Sequence, residues 1–251
     1  MIRIDRKDAH ALRADVLGAV GAPVGGSPAR RPERVTLEGR HVTLVPLDPS
    51  VHGQAVYEAT HGQDADRLWR YLATGPYADR TSFYEELERK VAAQDSVFFV
   101  IVGTRDSEVL GYASYLRIEP VHRVIEVGNI LYTPRFQGTT GATEAMYLMA
   151  RHVFEELGYR RYEWKCNALN LPSRSAAVRL GFTFEGTFRQ HMIIKGRNRD
   201  TAWYSMVDSE WPSRKAALEG WLAPTNFDAA GRQKQPLSAF RADSANPGAS
   251  L

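Results

Sequence analysis

Residues 124–157 form the most informative segment of the chain, and they read VIEVGNILYTPRFQGTTGATEAMYLMARHVFEEL. The first part, Val124 to Tyr132, is rich in β-branched and aromatic residues, which predicts a strand. From Ala142 to Leu157 the apolar residues recur at i, i+3 and i+4, which predicts an amphipathic helix that ends at Gly158. A strand therefore leads through a glycine-containing turn into a long helix.

The turn itself, Gln137–Ala142, has the composition of an anion-binding loop. Its glycines let the backbone pass close to a ligand, and the helix N-terminus offers unpaired N–H groups to an anion such as pyrophosphate. An ordinary capped turn without a ligand can have the same composition. The segment lacks the Gly-Lys-Ser/Thr of a nucleotide-binding P-loop and the G-x-G-x-x-G order of a dinucleotide fold.

Outward from this segment, strands and helices continue to alternate. Strands are predicted at 41–47, 96–102, 110–118, 124–132, 161–167, 182–194 and 201–208, and helices at 50–60, 81–93 and 170–180. The basic stretch 195–200 is predicted to be a turn. The pattern predicts an α/β domain (α+β layered), with a mixed sheet of about seven strands and helices on its faces.

Charge and composition exclude several classes of protein. The net charge of +3 comes entirely from the first 34 residues, because residues 35–251 carry equal numbers of basic and acidic side chains, so no nucleic-acid partner is predicted. No apolar run is long enough to span a membrane, and the charged amino terminus is unlike a signal peptide. A single cysteine, Cys166, fits a reducing compartment, so a cytoplasmic location is predicted. The seven histidines lack ligand spacing, so no metal is predicted.

Composition also divides the chain into three parts. Residues 1–33 are predicted to be a flexible extension with a Gly/Pro linker, 34–222 a single domain, and 223–251 a low-complexity tail. That tail is expected to be extended or disordered, unless Phe227, Leu237 and Phe240 hold it to the surface.

Three blocks in fixed order carry a resemblance to a known family: Ile125–Pro134, Gln137–Ala145, and Asn170–Ser173 leading to Leu180-Gly181-Phe182. Together they resemble the GNAT superfamily of acetyl-CoA-dependent N-acetyltransferases. The Ala-Thr-Glu-Ala sequence at 142–145 is most similar to the branch that acetylates the amino termini of ribosomal proteins (RimJ/RimL-like). The resemblance implies a mostly antiparallel sheet with a central splay, and acetyl-CoA as co-substrate.

The resemblance also implies residues that bind the cofactor. Ile130 and Leu131 are expected on the splayed strand, where the backbone pairs with the pantetheine arm and polarises the thioester carbonyl. Asn170 reaches the cofactor in the family, and it is equally well explained as a helix cap. Backbone N–H groups of the turn are expected to hold the pyrophosphate; these residues are Gln137, Gly138, Thr139, Thr140, Gly141 and Ala142. At Thr140 the family prefers glycine.

Two residues are the candidate catalytic groups. Glu126, beside the expected thioester, is the candidate general base, although it could equally be an ion-pair partner of a nearby arginine. Ser173 is the candidate general acid, because the tyrosine that many members use is replaced here by Ala177; a serine in a first helical turn can also simply bond to the backbone. A second base used in the branch aligns with Met192, and His191 is a weaker substitute.

These observations predict an enzyme, an acetyl-CoA-dependent N-acetyltransferase that transfers acetyl directly to a primary amine. The acceptor is expected to be a small molecule or an amino-acid-like or peptide-like amine. A protein amino terminus is the alternative acceptor, and a non-catalytic or recruited acyl-CoA-binding module is the alternative to an enzyme. The sequence leaves open whether the protein is a homodimer.

Overall fold

The structure is a computed structural model, and it describes residues 20–241. Its eight strands are β1 (Leu37–Glu38), β2 (Val42–Pro46), β3 (Ser96–Gly103), β4 (Val109–Glu119), β5 (Val124–Tyr132), β6 (Arg161–Asn167), β7 (Thr183–Ile194) and β8 (Arg197–Val207). Its α-helices are α1 (Pro49–Thr60), α2 (Ala65–Trp69), α3 (Arg80–Ala92), α4 (Thr140–Arg151), α5 (Leu171–Leu180) and α6 (Trp211–Leu222).

All eight strands belong to one sheet, in the order β1-β2-β3-β4-β5-β6-β8-β7. Every neighbouring pair is antiparallel except β5 and β6, which are parallel. The mixed, mostly antiparallel sheet is thus confirmed, and the strand beyond the expected seven is the two-residue β1.

Helices cover both faces of the sheet, as predicted. Helices α4, α5 and α6 pack on one face, around a core that includes Val127, Met149 and Tyr162. Helices α1, α2 and α3 pack on the other face, around Trp69, Phe83 and the strand residues that point toward them. We call these the α4 face and the α1 face.

The central splay lies between β5 and β6. The two strands pair only from Val124–Arg161 to Val127–Trp164, and beyond that point they separate. The following residues of β5 still pair with β4, through Leu131 opposite Tyr112, so the open edge is the one that faces β6. This V-shaped gap points toward the N-terminus of α4.

Three local features differ from the expectation. The turn predicted at 195–200 is only Lys195-Gly196, because Arg197 onward pairs with Ile194 and its predecessors in a long hairpin. The long helix after the turn changes to a π-helical turn at His152–Glu156 before Gly158. Helix α6 was not predicted from the sequence. Its buried tryptophans lie near its two ends, and its apolar residues do not form a continuous stripe.

The described parts of the predicted extension and tail both contact the domain. The backbone N–H of Ala29 donates to Pro120 C=O at 3.0 Å, and that of Arg30 donates to Leu157 C=O at 2.9 Å. In the tail, Leu237 is buried beside α6, and Phe227 packs edge-on against Trp221. Residues 223–241 are therefore folded against the domain, whereas residues 1–19 and 242–251 lie outside the described residues; the three-part division itself stays a prediction.

No helix within 20–241 is long and apolar enough to cross a membrane. The same residues contain no group of three or more His, Cys, Asp and Glu side chains that could hold a metal ion.

Candidate active site

The splay has a local cause, a β-bulge in β5 at Asn129. The backbone of Asn129 adopts the left-handed region with φ of 49°, a conformation that asparagine tolerates better than most residues. Its side-chain Nδ2 donates to Ser114 Oγ at 3.0 Å, and Ser114 Oγ donates to Gly128 C=O at 3.2 Å. These bonds hold the bulge to β4, which directs the rest of β5 away from β6.

The bulge also exchanges the two faces of the strand. Val127 packs on the α4 face, whereas Leu131, four residues later, packs on the α1 face. Without the extra residue these two side chains would point the same way, because side chains in a strand alternate with a period of two. Ile130 accordingly packs at the edge of the α4-face core.

Backbone groups that face the gap can be assigned from the strand pairing. The N–H of Thr133 donates to Leu110 C=O at 3.0 Å, and Leu131 lies opposite Tyr112. Since backbone groups alternate between the two edges of a strand, those of Leu131 point toward β4, and those of Ile130 and Tyr132 point into the gap. The backbone of Ile130 and the N–H of Tyr132 are therefore open to a ligand, whereas the backbone of Leu131 pairs with β4. Which of these residues binds the cofactor stays a prediction.

The turn that begins α4 is built to leave backbone donors free. Gly138 has φ of 75°, and Thr139 caps the helix, because its Oγ1 accepts the N–H of Ala142 at 3.2 Å. The N–H groups of Thr140 and Gly141 lie in the first helical turn, where no intrahelical acceptor exists. Gly141 also permits close packing, since a Cβ there would lie 3.0 Å from both Phe136 and Val42 side chains.

Two side chains hold this turn in place. Gln137 Nε2 donates to Tyr132 C=O at 2.9 Å, which closes the loop against the end of β5. Glu144 is buried one turn into α4, and its carboxylate accepts the backbone N–H groups of Arg40, His41 and Val42 at 2.9, 2.6 and 3.0 Å. The start of α4 is thereby fixed to the β1–β2 turn.

A cavity of about 700 Å³ adjoins this turn at Thr140. It is lined on one side by Arg40, His41 and Arg105, and on the other by the tail residues around Phe227.

Across the gap, α5 presents Asn170 and Ser173. Asn170 Oδ1 accepts the backbone N–H of Ser173 at 3.3 Å, so the cap that the sequence allows is present. The Ser173 hydroxyl accepts the indole N–H of Trp164 at 3.1 Å, which leaves its own proton free to donate. Ser173 is half-buried and lies on the α4 face of β6, beside Cys166.

Glu126 lies on the opposite face of the sheet from Ser173. Its neighbours in sequence, Ile125 and Val127, point into the α4-face core, so Glu126 points to the α1 face, where it is only 4% exposed. Oε2 lies 2.9 Å from both Lys165 Nζ and Arg117 Nε. Neither contact has the angles of a hydrogen bond, so both act as ion pairs through charge.

Burial and charge oppose each other at this carboxyl. Burial raises the pKa of Glu126, and the positive charges of Lys165 and Arg117 lower it without cancelling the effect of burial. The ion-pair alternative is therefore present in the structure. The role of general base stays a prediction, and the raised pKa of Glu126 lies in the direction that such a base requires.

Lys165 links Glu126 to a wider network. Its ammonium group lies 2.7 Å from Glu163 Oε2 and 3.7 Å from the centre of the Trp203 ring. Glu163 in turn pairs with Arg161, which also binds Glu185 at 2.7 Å. Sequence reasoning identified neither Lys165 nor Arg117 as a site residue. For Lys165 one signal was available, since residues 161–167 have a polar side chain at every second position, which indicates a polar face of the strand.

Other sequence candidates have structural roles. His191 Nδ1 lies 2.9 Å from Thr201 Oγ1, and burial together with nearby cations lowers its pKa. Among the aromatic side chains near the gap, Trp69 and Phe83 belong to the α1-face core, because both rings are almost fully buried. Tyr71 is the exception, since its hydroxyl donates to Leu169 C=O at 3.2 Å across the mouth of the gap.

Comparisons with known proteins agree with this geometry. The family model described as an acetyltransferase (GNAT) domain matches residues 41–183. YdaF of Bacillus subtilis (strain 168), whose name describes a candidate ribosomal N-acetyltransferase, is 25% identical over 178 residues, which are 70% of this chain and 96% of YdaF. The ribosomal-protein-serine acetyltransferase of Escherichia coli (strain K12) is 29% identical over 107 residues, 42% of this chain and 59% of that protein.

Among solved structures, the chain is similar to a GCN5-related N-acetyltransferase from Brucella melitensis. The two are 46% identical with a TM-score of 0.84, over 86% of this chain and 98% of the other.

Proposed function

The chain belongs to the GNAT acetyltransferase family, whose members use acetyl-CoA as co-substrate, and we propose that it transfers acetyl directly from acetyl-CoA to a primary amine. The observation that carries the proposal is the splay, which joins free backbone groups, a helix N-terminus and two candidate proton-transfer groups. The pyrophosphate, the pantetheine arm and the thioester of acetyl-CoA each have a matching feature along this gap.

The backbone supplies the cofactor contacts in this proposal. The N–H groups of Thr140 and Gly141, at the positive end of the α4 dipole, bind the pyrophosphate. The backbone groups of Ile130 and the N–H of Tyr132 pair with the pantetheine amides, as a missing strand would, while Tyr132 C=O accepts Gln137 Nε2. A backbone N–H beside the bulge donates to the thioester oxygen as negative charge develops there.

Proton transfer uses the two faces of the sheet. The amine nitrogen attacks the thioester carbon from the α1 face, and Glu126 accepts the proton that the nitrogen loses. The carbon–sulfur bond then breaks toward the α4 face, where the Ser173 hydroxyl donates a proton to the CoA thiolate and recovers one from solvent. In this proposal the two groups act on the same thioester from opposite faces of the sheet.

Direct transfer is favoured over an acyl-enzyme. The only thiol, that of Cys166, is buried, and burial raises its pKa, so little nucleophilic thiolate forms at neutral pH. Ser173 has no base beside it among its hydrogen-bond partners in residues 20–241.

The acceptor is proposed to be a small or amino-acid-like amine. A protein amino terminus is the second candidate, and the names of the Bacillus and Escherichia relatives favour it. A non-catalytic acyl-CoA-binding module is a third, motivated by the buried Ala177 at the position of the usual tyrosine.

The test measures acetyl-CoA binding by calorimetry and transfer to amines by mass spectrometry, for the wild type and two variants. Glu126→Gln is expected to lower kcat by roughly 100-fold or more, because general-base catalysis contributes about 10²–10⁴, while acetyl-CoA still binds. Lys165 still pairs with Glu163 in this variant, so the buried ammonium keeps a partner and the variant is expected to fold.

Ser173→Ala is expected to lower kcat by about 10-fold or more, with little change in KM for acetyl-CoA. The variant keeps the backbone N–H that Asn170 caps, so only the hydroxyl is removed. Ser175→Ala, on the exposed side of the same helix, is the matched control. Acetyl-CoA binding with no transfer to any amine would instead support the non-catalytic module, and no binding at all would refute both.

A further inference from the structure

The α1 face beside Glu126 carries one more cation than the carboxylates around it can pair. Arg117 and Lys165 pair with Glu126, and Arg161 pairs with Glu163 and Glu185. The fourth cation is Arg199, and no carboxylate oxygen in residues 20–241 lies within 4 Å of its side-chain nitrogens. Four cations therefore face three carboxylates.

Arg199 is held on the side of β8 that faces the acceptor. Arg199, Thr201 and Trp203 stand at every second position of the strand, so their side chains share one face. This is the α1 face, because the Trp203 ring lies against Lys165. Arg199 Nε and Trp203 Nε1 are both shielded from solvent, and neither has a hydrogen-bond acceptor among the described residues. Two buried donors without acceptors are costly to a fold unless a ligand supplies the acceptor.

The electrostatic environment agrees with an anion-binding role. Burial lowers the pKa of the Arg199 guanidinium, and the charge of Arg117 lowers it further, against the opposing effects of Cys166 and Glu126. The groups that face it from the neighbouring strands are Arg117 and Glu126, together with Lys165 and His191. An anion bound here would complete the charge balance of the cluster.

The anion cannot come from acetyl-CoA in the proposed pose. The pantetheine arm that enters the gap is uncharged, and the pyrophosphate is assigned to the N-terminus of α4, at the mouth of the gap. The ribose 3′-phosphate of CoA lies beyond the pyrophosphate, farther still from the thioester. Only the acceptor, which approaches Glu126 from the α1 face, brings a group to Arg199.

We propose that Arg199 binds a carboxylate of the acceptor, so that the preferred substrate is an amine that also carries a carboxylate. This inference rests on the proposed function, because it names the substrate class of the same site. Arg199 holds the acceptor with its amine directed at the thioester, and is thus a specificity-determining residue.

The experiment compares acceptors that differ only in this group. Free α-amino acids are paired with their α-amides, and short peptides that begin with Asp are paired with peptides that begin with Asn. For at least one kind of pair, kcat/KM of the carboxylate member is expected to be roughly 10- to 100-fold higher, the range for hydrogen bonds to charged groups. A preference among free amino acids identifies a small acceptor, and a preference among peptides identifies a peptide terminus.

Arg199→Gln is expected to bring this ratio toward one. Arg197→Gln, an exposed position two residues earlier on the same strand, removes the same charge and is expected to keep the wild-type ratio. Equal rates within every wild-type pair, or a ratio that survives Arg199→Gln, would overturn the inference.

A binding measurement separates this inference from the proposed reaction. N-acetylated amino acids and peptides and their amide partners are titrated by calorimetry into the CoA complex, which needs no turnover. Carboxylate-selective binding that Arg199→Gln abolishes would support the inference even if no amine were acetylated, in which case the proposed reaction alone would fail. Binding without carboxylate selectivity would refute the inference.

Discussion

The pKa of Glu126 depends on two opposing effects of its surroundings. Its burial between β4 and β6 disfavours the charged form, and two cations 2.9 Å away favour it. Arg117 reaches the carboxylate because its own backbone, with φ of 49°, forms a second bulge in β4. The pKa of the candidate base is therefore set by residues from three strands.

Lys165→Met tests this balance through the pH dependence of kcat/KM. A general base acts in its ionised form, so activity rises with pH through the pKa of Glu126. Removing the cation disfavours the ionised form and raises that pKa further, so the acidic limb is expected to move to higher pH.

The matched control is Lys215→Met, whose ammonium pairs with Glu155 on the α4 face, far from Glu126. Its acidic limb is expected to coincide with that of the wild type. An unmoved limb in Lys165→Met would show that Glu126 is not the group that titrates in the profile.

At the scale of single elements, the site depends on how α4 begins and where β5 leaves the sheet. The start of α4 is fixed by Glu144, whose buried carboxylate accepts three backbone N–H groups from 40–42. Gly39 is required beside it, because a Cβ there would lie 2.7 Å from Glu144 Oε2. The turn proposed to bind pyrophosphate is thus braced by residues a hundred positions earlier.

Glu144→Ala is expected to lower the free energy of unfolding by about 3 kcal/mol or more, because it leaves three backbone donors without an acceptor. Urea denaturation followed by circular dichroism measures the loss. Glu88→Ala, an exposed glutamate on α3, is the control and is expected to change stability by less than about 0.5 kcal/mol. Equal losses in the two variants would contradict the bracing role of Glu144.

At the scale of the whole molecule, the amino-terminal segment and the cofactor turn lie at opposite ends of α4. Ala29 and Arg30 contact Pro120 and Leu157, near the closed end of the splay. The turn at 137–142 lies at its open end, separated by a helix of 12 residues, about 18 Å long. The segment therefore contributes to stability at a distance from the gap.

Deletion of residues 1–33 is expected to leave the dissociation constant for acetyl-CoA within roughly twofold, because distant sites act independently. The melting temperature is expected to fall, since two backbone hydrogen bonds and the burial of Ala29 are lost. Deletion of 1–19 alone keeps those contacts and serves as the control. A large loss of acetyl-CoA affinity on the longer deletion would show that the segment belongs to the site.

Local patterns in the sequence were sufficient to predict much of the fold. The apolar stripe of 142–157 predicted α4, and the β-branched runs predicted β3 and β5. Helix α6 escaped prediction because its tryptophans are buried by packing on α4 and the tail, which no local period records. The bulge at Asn129, which exchanges the two faces of β5, could not be predicted from the sequence. One extra residue hardly changes the composition of a strand, so no local pattern records it.

The order of elements and the glycine turn at the start of α4 follow from the sequence, because each depends on neighbours within a few residues. The candidates Glu126 and Ser173 came from the resemblance to the GNAT family. Only the tertiary structure put Glu126 and Ser173 on opposite faces of one gap, paired Glu126 with Lys165 and Arg117, and left Arg199 without a carboxylate. Those relations depend on strand pairing between distant segments and on one bulge that changes which face each side chain occupies. Charge balance in a cluster drawn from several strands is a property of that arrangement, and the sequence of any one strand does not contain it.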